Sequence, residues 1–275
     1  MPSDVLPLIT RDAFEEHCRA RASAVYVGDR TLLCRVMGRY LCYVDGDDAA
    51  VGAHLAMDGF WEAWNCVAIG RHVGRGWRVV DVGANHGYFT LLLAELVGPD
   101  GRVYAVEPNP RLFELLRRTV RVNGFDDRVT LLPYAAAAVE GEAELRVPRG
   151  FSGDGSVGQP SPGECTVCRV KQRRLDALIG EPVDFLKIDA EGADHDVLDG
   201  ALGLLPRDRP VAVMLEHHAP FHDRPGERLM RLAREGFALQ YVGSDGELMP
   251  ATINGLDRER RRFWSLWLSR ASRQE

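Results

Sequence analysis

The sequence predicts an α/β fold: a doubly wound, mostly parallel seven-stranded sheet with an antiparallel C-terminal strand pair and an N-terminal α+β accessory section. Three observations predict it. From Trp77 to Phe237, short apolar runs alternate with amphipathic stretches, and such alternation builds a parallel sheet with helices on both faces. Gly, Pro and Asn punctuate the transitions where tight turns and helix starts need them. After the last helical stretch, residues 237–242 and 263–268 form two strand patterns with no crossover helix between them, which makes them antiparallel.

Taken in order, residues 12–23 pattern as a short helix, and 31–37 and 41–44 as strands around a turn at Gly38. Residues 56–66 carry Met57, Phe60, Trp61 and Trp64 at near-helical spacing, which predicts one packing helix. Residues 1–75 are therefore expected to be an accessory section and 76–275 the main domain. In that domain strands are expected at 78–82, 102–107, 129–132, 183–189 and 211–216, and helices at 88–97, 110–123, 193–205 and 227–235. The Gly-, Ser- and Pro-rich stretch 150–163 predicts a mobile loop able to close over a ligand, with Asp154 and Ser156 as polar contacts.

Composition narrows the function. The chain has 275 residues with 34 Lys+Arg against 40 Asp+Glu, 45% hydrophobic and 27% charged, which fits a globular protein and not a disordered or collagenous one. A net charge of −6 argues against broad phosphate-backbone binding, so no nucleic-acid partner is expected, and the basic run 258–262 is taken as a solvated face. No apolar stretch approaches the roughly 20 residues of a membrane span, and residues 1–10 lack a signal-peptide pattern, so the expected location is cytoplasmic. Six scattered cysteines do not make a disulfide framework, and Cys165-x-x-Cys168 has no second pair to complete a zinc site. Aromatic side chains of the N-terminal section, if exposed, would offer a homodimer surface.

Ligands of a doubly wound sheet bind outside the carboxyl ends of its strands. The first strand ends in Asp81-Val82-Gly83-Ala84-Asn85-His86-Gly87, whose glycines allow a tight turn and close approach of a ligand to the backbone. The second ends in Glu107-Pro108-Asn109-Pro110, an acid placed to accept hydrogen bonds from two ribose hydroxyls. Together they predict an adenosine-containing ligand. The spacing Gly83-x-x-x-Gly87 departs from the dinucleotide G-x-G-x-x-G, and a carboxylate at Asp81 would repel a pyrophosphate. It suits a ligand carrying an amino group and a sulfonium, S-adenosylmethionine.

These segments, with Leu186-Lys187-Ile188-Asp189-Ala190-Glu191-Gly192-Ala193-Asp194 and Gly200-Ala201, resemble in order and spacing the FkbM family of class I S-adenosylmethionine-dependent methyltransferases, which have Rossmann-like folds. The resemblance covers roughly residues 59–218, beginning at Gly59-Phe60-Trp61-Glu62, and Asp194 stands where the family commonly has Glu. It implies O-methylation of a hydroxyl on a small-molecule acceptor such as a natural product or a sugar moiety. It also implies that Asp81, Gly83, Asn85, Gly87 and Phe89 surround the methionine portion, that Glu107, Pro108 and Asn109 hold the ribose side, that Tyr134 and Ala135 lie near the adenine, and that Glu62 and Asp189 touch the cofactor.

Methyl transfer to a hydroxyl is an in-line displacement in which the protein aligns the acceptor and removes its proton. Candidate catalytic groups are Asp189, Glu191, His217 and His218, with one of the two histidines, directly after a strand, expected to face the crevice as base. Capping of the helix near Ala193 is the bland role of Asp189 and Glu191. A second arrangement has Asp189, Glu216 and His217 hold Mg2+ against the acceptor oxygen. Alternatives to an O-methyltransferase are an N-methyltransferase of a small molecule or peptide, a nicotinamide-dependent oxidoreductase, and a non-catalytic cofactor-binding protein.

Overall fold

In the computed structural model, residues 10–158, 163–221, 225–259 and 262–271 are described. Thr10 caps the first helix, α1 (Arg11–Arg19), its hydroxyl accepting from the Ala13 N–H. Strands β1 (Ser23–Tyr26), β2 (Thr31–Val36) and β3 (Tyr40–Asp45) follow as an antiparallel sheet in that order. The single helix expected over 56–66 is two helices, α2 (Val51–Asp58) and α3 (Ala63–His72). Gly59 ends α2 in the left-handed region at φ 71°, and Glu62 starts α3 at φ 41°. Phe60 is buried between them, so near-helical spacing of the aromatics comes from two helices sharing one packing site.

The main sheet is laid down by β4 (Arg78–Val82), α4 (Tyr88–Val97), β5 (Arg102–Val106), α5 (Pro110–Val122) and β6 (Val129–Leu132). After an insertion come α6 (Leu175–Leu178), β11 (Phe185–Ile188), α7 (Asp194–Asp199), β12 (Val211–His217), α8 (Pro225–Arg234), β13 (Ala238–Val242), β14 (Leu248–Pro250), α9 (Ile253–Arg258) and β15 (Trp264–Arg270). The sheet order is β14-β13-β15-β12-β11-β4-β5-β6. Neighbours from β6 to β12 pair in parallel, while β15 is antiparallel to both β12 and β13. The expected antiparallel C-terminal pair is present, and the count rises from seven to eight because Leu248–Pro250 hooks back onto β13. The helix expected over 193–205 shortens to α7 and a 3-10 turn at Leu202–Leu204, with Gly200 packed against the Ala137 carbonyl.

The insertion between β6 and α6 is a second sheet: β7 (Ala135–Ala136), β8 (Gly141–Pro148), β9 (Ser156–Val157) and β10 (Cys165–Arg173), ordered β7-β10-β8-β9. The expected mobile loop is the tip of the β8–β10 hairpin, where Ser152–Asp154 form a 3-10 turn and β9 returns to pair with β8; residues 159–162 of that loop lie outside the described residues, as do residues 1–9 and 260–261 of the basic run. Cys165 and Cys168 are free thiols on β10, and an odd spacing along a strand puts them on opposite faces.

Two apolar cores sandwich the main sheet. Val79, Val103, Phe185, Met214 and Trp267 face α3, α4 and the N-terminal section, while Val80, Val106, Leu186, Val213 and Leu266 face α7, α8 and α9. Helix α4 lies in the first core with Leu91, Leu92 and Leu93 fully buried, about 2 kcal/mol of transfer free energy each. Phe14, Cys34 and Leu55 belong to that same core, so the N-terminal elements are continuous with the domain they cover.

Candidate functional site

The carboxyl ends of β4, β5 and β11 meet around the Gly83 turn. Gly83 has φ 70°, and a Cβ there would overlap the carbonyl oxygen of Asp189 in the loop after β11. Only glycine lets the two loops touch. Asn85 at φ 54° and Glu191 at φ 48° are also left-handed, a costly conformation for residues with side chains and one that clusters at ligand sites.

Glu107 ties the turn to the next strand end. Its carboxylate accepts the Asn85 and Asn109 N–H groups, each at 2.8 Å, and burial pushes its pKa up to about 7 against those two bonds. Asn109 caps α5 through the Arg111 N–H and donates to the Ser152 carbonyl, bringing the hairpin tip over the site. Asp81 is fully buried: it accepts the Thr90 hydroxyl at 2.6 Å and pairs with Lys187 Nζ at 3.4 Å. Lys187, itself buried, reaches Asp189 at 3.3 Å and sits 5.0 Å from the centroid of the Phe89 ring. Burial alone would favour its neutral form, but Asp189, Asp81 and Glu62 outweigh it and raise its pKa.

Three cavities follow this edge. The first, about 290 Å3, runs from Gly83, Asn85 and Glu107 past Pro108 and Asn109 to Tyr134 and Ala135, with Ala136, Val106 and Leu112 as apolar walls. The second, about 120 Å3, adjoins it and is lined by Glu62, Phe89, Asp154, Lys187, Asp189, Glu191 and Glu216 among others. Gly83, Asn85, Gly153, Asp189 and Glu191 border both. The third, about 260 Å3, opens between α1, α3 and the C-terminal strands.

Carboxyl groups dominate the middle cavity. Burial, with Asp189 next, pushes the Glu62 pKa up to about 7. Glu191 and Glu216 lie well above the carboxylate range for the same two reasons, and Asp154 is raised by burial and by Asp48. Asp194, the first residue of α7, accepts the Ala190 N–H at 2.7 Å and the Gly192 N–H at 3.1 Å and so closes the loop that leads into the helix.

The structure brings Glu62, Gly83, Asn85, Phe89, Glu107, Pro108, Asn109, Tyr134, Ala135, Asp189 and Glu191 to the first two cavities. Asp81 and Gly87 lie underneath, Gly87 packed on Leu116 at the start of α4. His217 and His218 line none of the three cavities. The expectation that one of them faces the crevice is corrected: His217 turns to the α7 side, its Nδ1 3.0 Å from His195 Nε2, and His218 stacks on Phe263. The Mg2+ arrangement goes with it. Strand alternation puts Glu216 and His217 on opposite faces, so they cannot join Asp189 around one ion, and among the described residues no three His, Cys, Asp or Glu side chains form a metal site. Sequence reasoning missed Lys187, although a lysine inside an otherwise apolar strand was the available signal, and it missed the buried His86, which borders the middle cavity.

Parallel strands ordered β12-β11-β4-β5-β6, with the antiparallel β15 beside β12, make the class I S-adenosylmethionine-dependent methyltransferase fold. Residues 81–239 match the Methyltransferase FkbM domain. The chain belongs to the FkbM methyltransferase family. It is also similar to a protein-L-isoaspartate O-methyltransferase of Aeropyrum pernix, 54% identical over 50 residues that make up 18% of this chain and 19% of that one. A demethylmenaquinone methyltransferase of Symbiobacterium thermophilum is 35% identical over 26% of this chain and 30% of its own length. The matched part thus spans less than a third of either relative. Among solved structures, methyltransferase FkbM from Methylobacillus flagellatus superimposes with a TM-score of 0.44 at 19% identity, covering 70% of this chain and 43% of that chain. No helix among the described residues is long and apolar enough to cross a membrane.

Proposed function

We propose that this methyltransferase transfers the methyl group of S-adenosylmethionine to a hydroxyl of a small molecule, such as a natural product or a sugar moiety. The observation that carries this reading is the continuity of the first two cavities, with Asp189 and Glu191 at their junction. The lining fits the cofactor. Glu107 keeps lone pairs for ribose hydroxyls beyond its two backbone bonds, the Ala136, Val106 and Leu112 walls suit a flat base, and the carboxyl-rich end suits an amine and a sulfonium. When bound, it supplies a methyl carbon on positively charged sulfur. The chain's own residues orient and deprotonate. The Gly83 turn admits the ligand to the backbone, Glu107 sets the ribose, Ser152–Asp154 roof the cavity, and the acids of the middle cavity hold positive charge and take a proton.

Calorimetric titration tests the donor. S-adenosylmethionine should bind and NAD should not, and Glu107→Gln should weaken binding about 10-fold or more, the worth of a charge-assisted hydrogen bond. Binding of NAD in preference would overturn the reading. Isotope-labelled methyl recovered on nitrogen, and not on oxygen, would replace it with the N-methyltransferase alternative.

A further inference from the structure

We propose that β1 (Ser23–Tyr26) is a self-pairing edge, and that two copies of this chain join their first strands antiparallel about a two-fold axis through Val25, making one continuous sheet of their N-terminal sheets. Strand β1 has β2 on one side and no strand on the other among the described residues, and all of its side chains are exposed. Val25, Tyr26 and Val27 form a run of exposed apolar groups. From Ala22 to Val27 the sequence Ala-Ser-Ala-Val-Tyr-Val carries no proline and no charge, the devices that ordinarily blunt an open edge. On β3, by contrast, the Tyr43 and Leu41 N–H groups are taken by the Thr119 hydroxyl and the Asn123 side-chain carbonyl of α5. Strand β14 is short and ends in Pro250, and β7 and β9 are two residues each.

The open backbone groups fix the register. Val27 donates to the Thr31 carbonyl at 2.9 Å, so Val25 and Ser23 also point at β2, and the N–H and C=O groups of Ala24 and Tyr26 point away from it. Setting Val25 against itself places Ala24 opposite the second copy's Tyr26 on both sides of the axis. Each such pair exchanges both of its hydrogen bonds, which satisfies every open group of the strand. A shift of two residues either way calls on Ala22, whose N–H is spent on the Arg19 carbonyl, or on Gly28, whose carbonyl holds the Thr31 N–H.

Side chains select a second copy as the occupant. On the face that Ala24 and Tyr26 share with Cys34 and Leu32, a small residue lies against a large one at both pairs, and on the other face Val25 meets Val25 at the closer, non-hydrogen-bonded spacing. Arg21 precedes the strand and Asp29 follows it, both exposed. An antiparallel copy brings these opposite charges together at each end, where a parallel one would bring like charges together. Because the contact is isologous it consumes both edges and closes, so it yields a dimer and no fibre. None of residues 21–29 lines the three cavities, so pairing leaves both cofactor sites open, whatever acceptor is methylated.

Sedimentation equilibrium of the full chain over a range of concentrations tests the pairing. The expected result is a reversible monomer–dimer equilibrium with no larger species. Val25→Lys, at a side chain 61% exposed and so tolerated by the fold, sets two ammonium groups face to face on the axis and should weaken association about 10-fold or more, as should Val25→Glu with its two carboxylates. An equimolar mixture of the two variants should pair again, because each cation then faces an anion. That recovery also distinguishes lost pairing from a lost fold. A chain that stays monomeric at every concentration, or variants that associate as the unaltered chain does, would overturn the proposal. A ladder of larger species would overturn it too, by showing an edge that recruits without closing.

Discussion

Lys187 is the cation around which the carboxyl groups of the site are arranged. It pairs with Asp81 and Asp189 from a position 1% exposed, and removing one partner of a buried pair costs about 3–5 kcal/mol because the remaining charge loses its compensation. Lys187→Met should therefore lower the urea midpoint by that equivalent, and Asp81→Asn combined with it should recover part of the loss. Equal denaturation midpoints for Lys187→Met and the unaltered chain would remove Lys187 from this role. Gly83→Ala is the other severe case, since its Cβ meets the Asp189 backbone and neither loop can yield without moving a strand end. It should abolish binding of S-adenosylmethionine in calorimetry. At this scale the sequence showed which residues end the strands, and Gly83, Glu107, Asp189 and Glu191 were legible for that reason. It did not show which way a strand-end side chain turns. Asp81 goes under the turn to Lys187 and His217 goes to His195, both settled by packing across the sheet.

Elements were legible where periodicity was strong. Helix α4 is found at the expected residues, and α5 at the expected ones less the terminal Asn123, because a buried helix and a Pro-initiated amphipathic one announce themselves locally. The β8–β10 sheet was not, since residues 141–148 alternate charged and apolar side chains on an exposed ribbon and pair only across a long hairpin. The join between the N-terminal sheet and α5 was equally hidden, because it rests on a few side chains at the end of α5, where the Thr119 hydroxyl accepts the Tyr43 N–H at 2.9 Å and Asn123 holds Leu41. Asn123 accepts the Leu41 N–H at 3.1 Å and donates to the Leu41 and Thr119 carbonyls, each at 2.7 Å. Asn123→Ala leaves these partly buried backbone groups to find other partners and should cost about 2 kcal/mol. Chemical denaturation reads the loss, and cofactor affinity, set at the opposite end of α5, should stay unchanged.

Across the whole molecule, the net charge of −6 is unevenly spent: Glu62, Glu107, Glu191 and Glu216 all lie along one sheet edge with raised proton affinities. A carboxyl whose folded pKa exceeds its unfolded value of about 4.3 holds a proton that the unfolded chain releases, so its contribution to stability is complete below that value and is lost as pH rises through the folded pKa. For Glu62 and Glu107 the loss begins near pH 4.3 and is nearly complete a little above pH 7, and for Glu191 and Glu216 it continues above. His86, whose pKa burial pushes down, has the opposite slope, but only below about pH 6.5, where an unfolded histidine gains its proton. Between pH 6.5 and 8.5 the carboxyls dominate the slope, and the buried thiols of Cys18, Cys34, Cys42 and Cys66, whose pKa values burial raises, add to it near the upper end. Stability should fall by about 3 kcal/mol over that interval for each proton that the folded chain keeps throughout it, on the order of 5 °C in Tm. S-adenosylmethionine carries the positive charge that offsets this repulsion, whereas S-adenosylhomocysteine has a neutral sulfur. The thermal shift given by the first, relative to the second, should therefore widen as pH rises. Thermal melts with each ligand at both pH values would check it, and a difference that stays constant would mean that the acidic edge does not face the sulfur end of the cofactor.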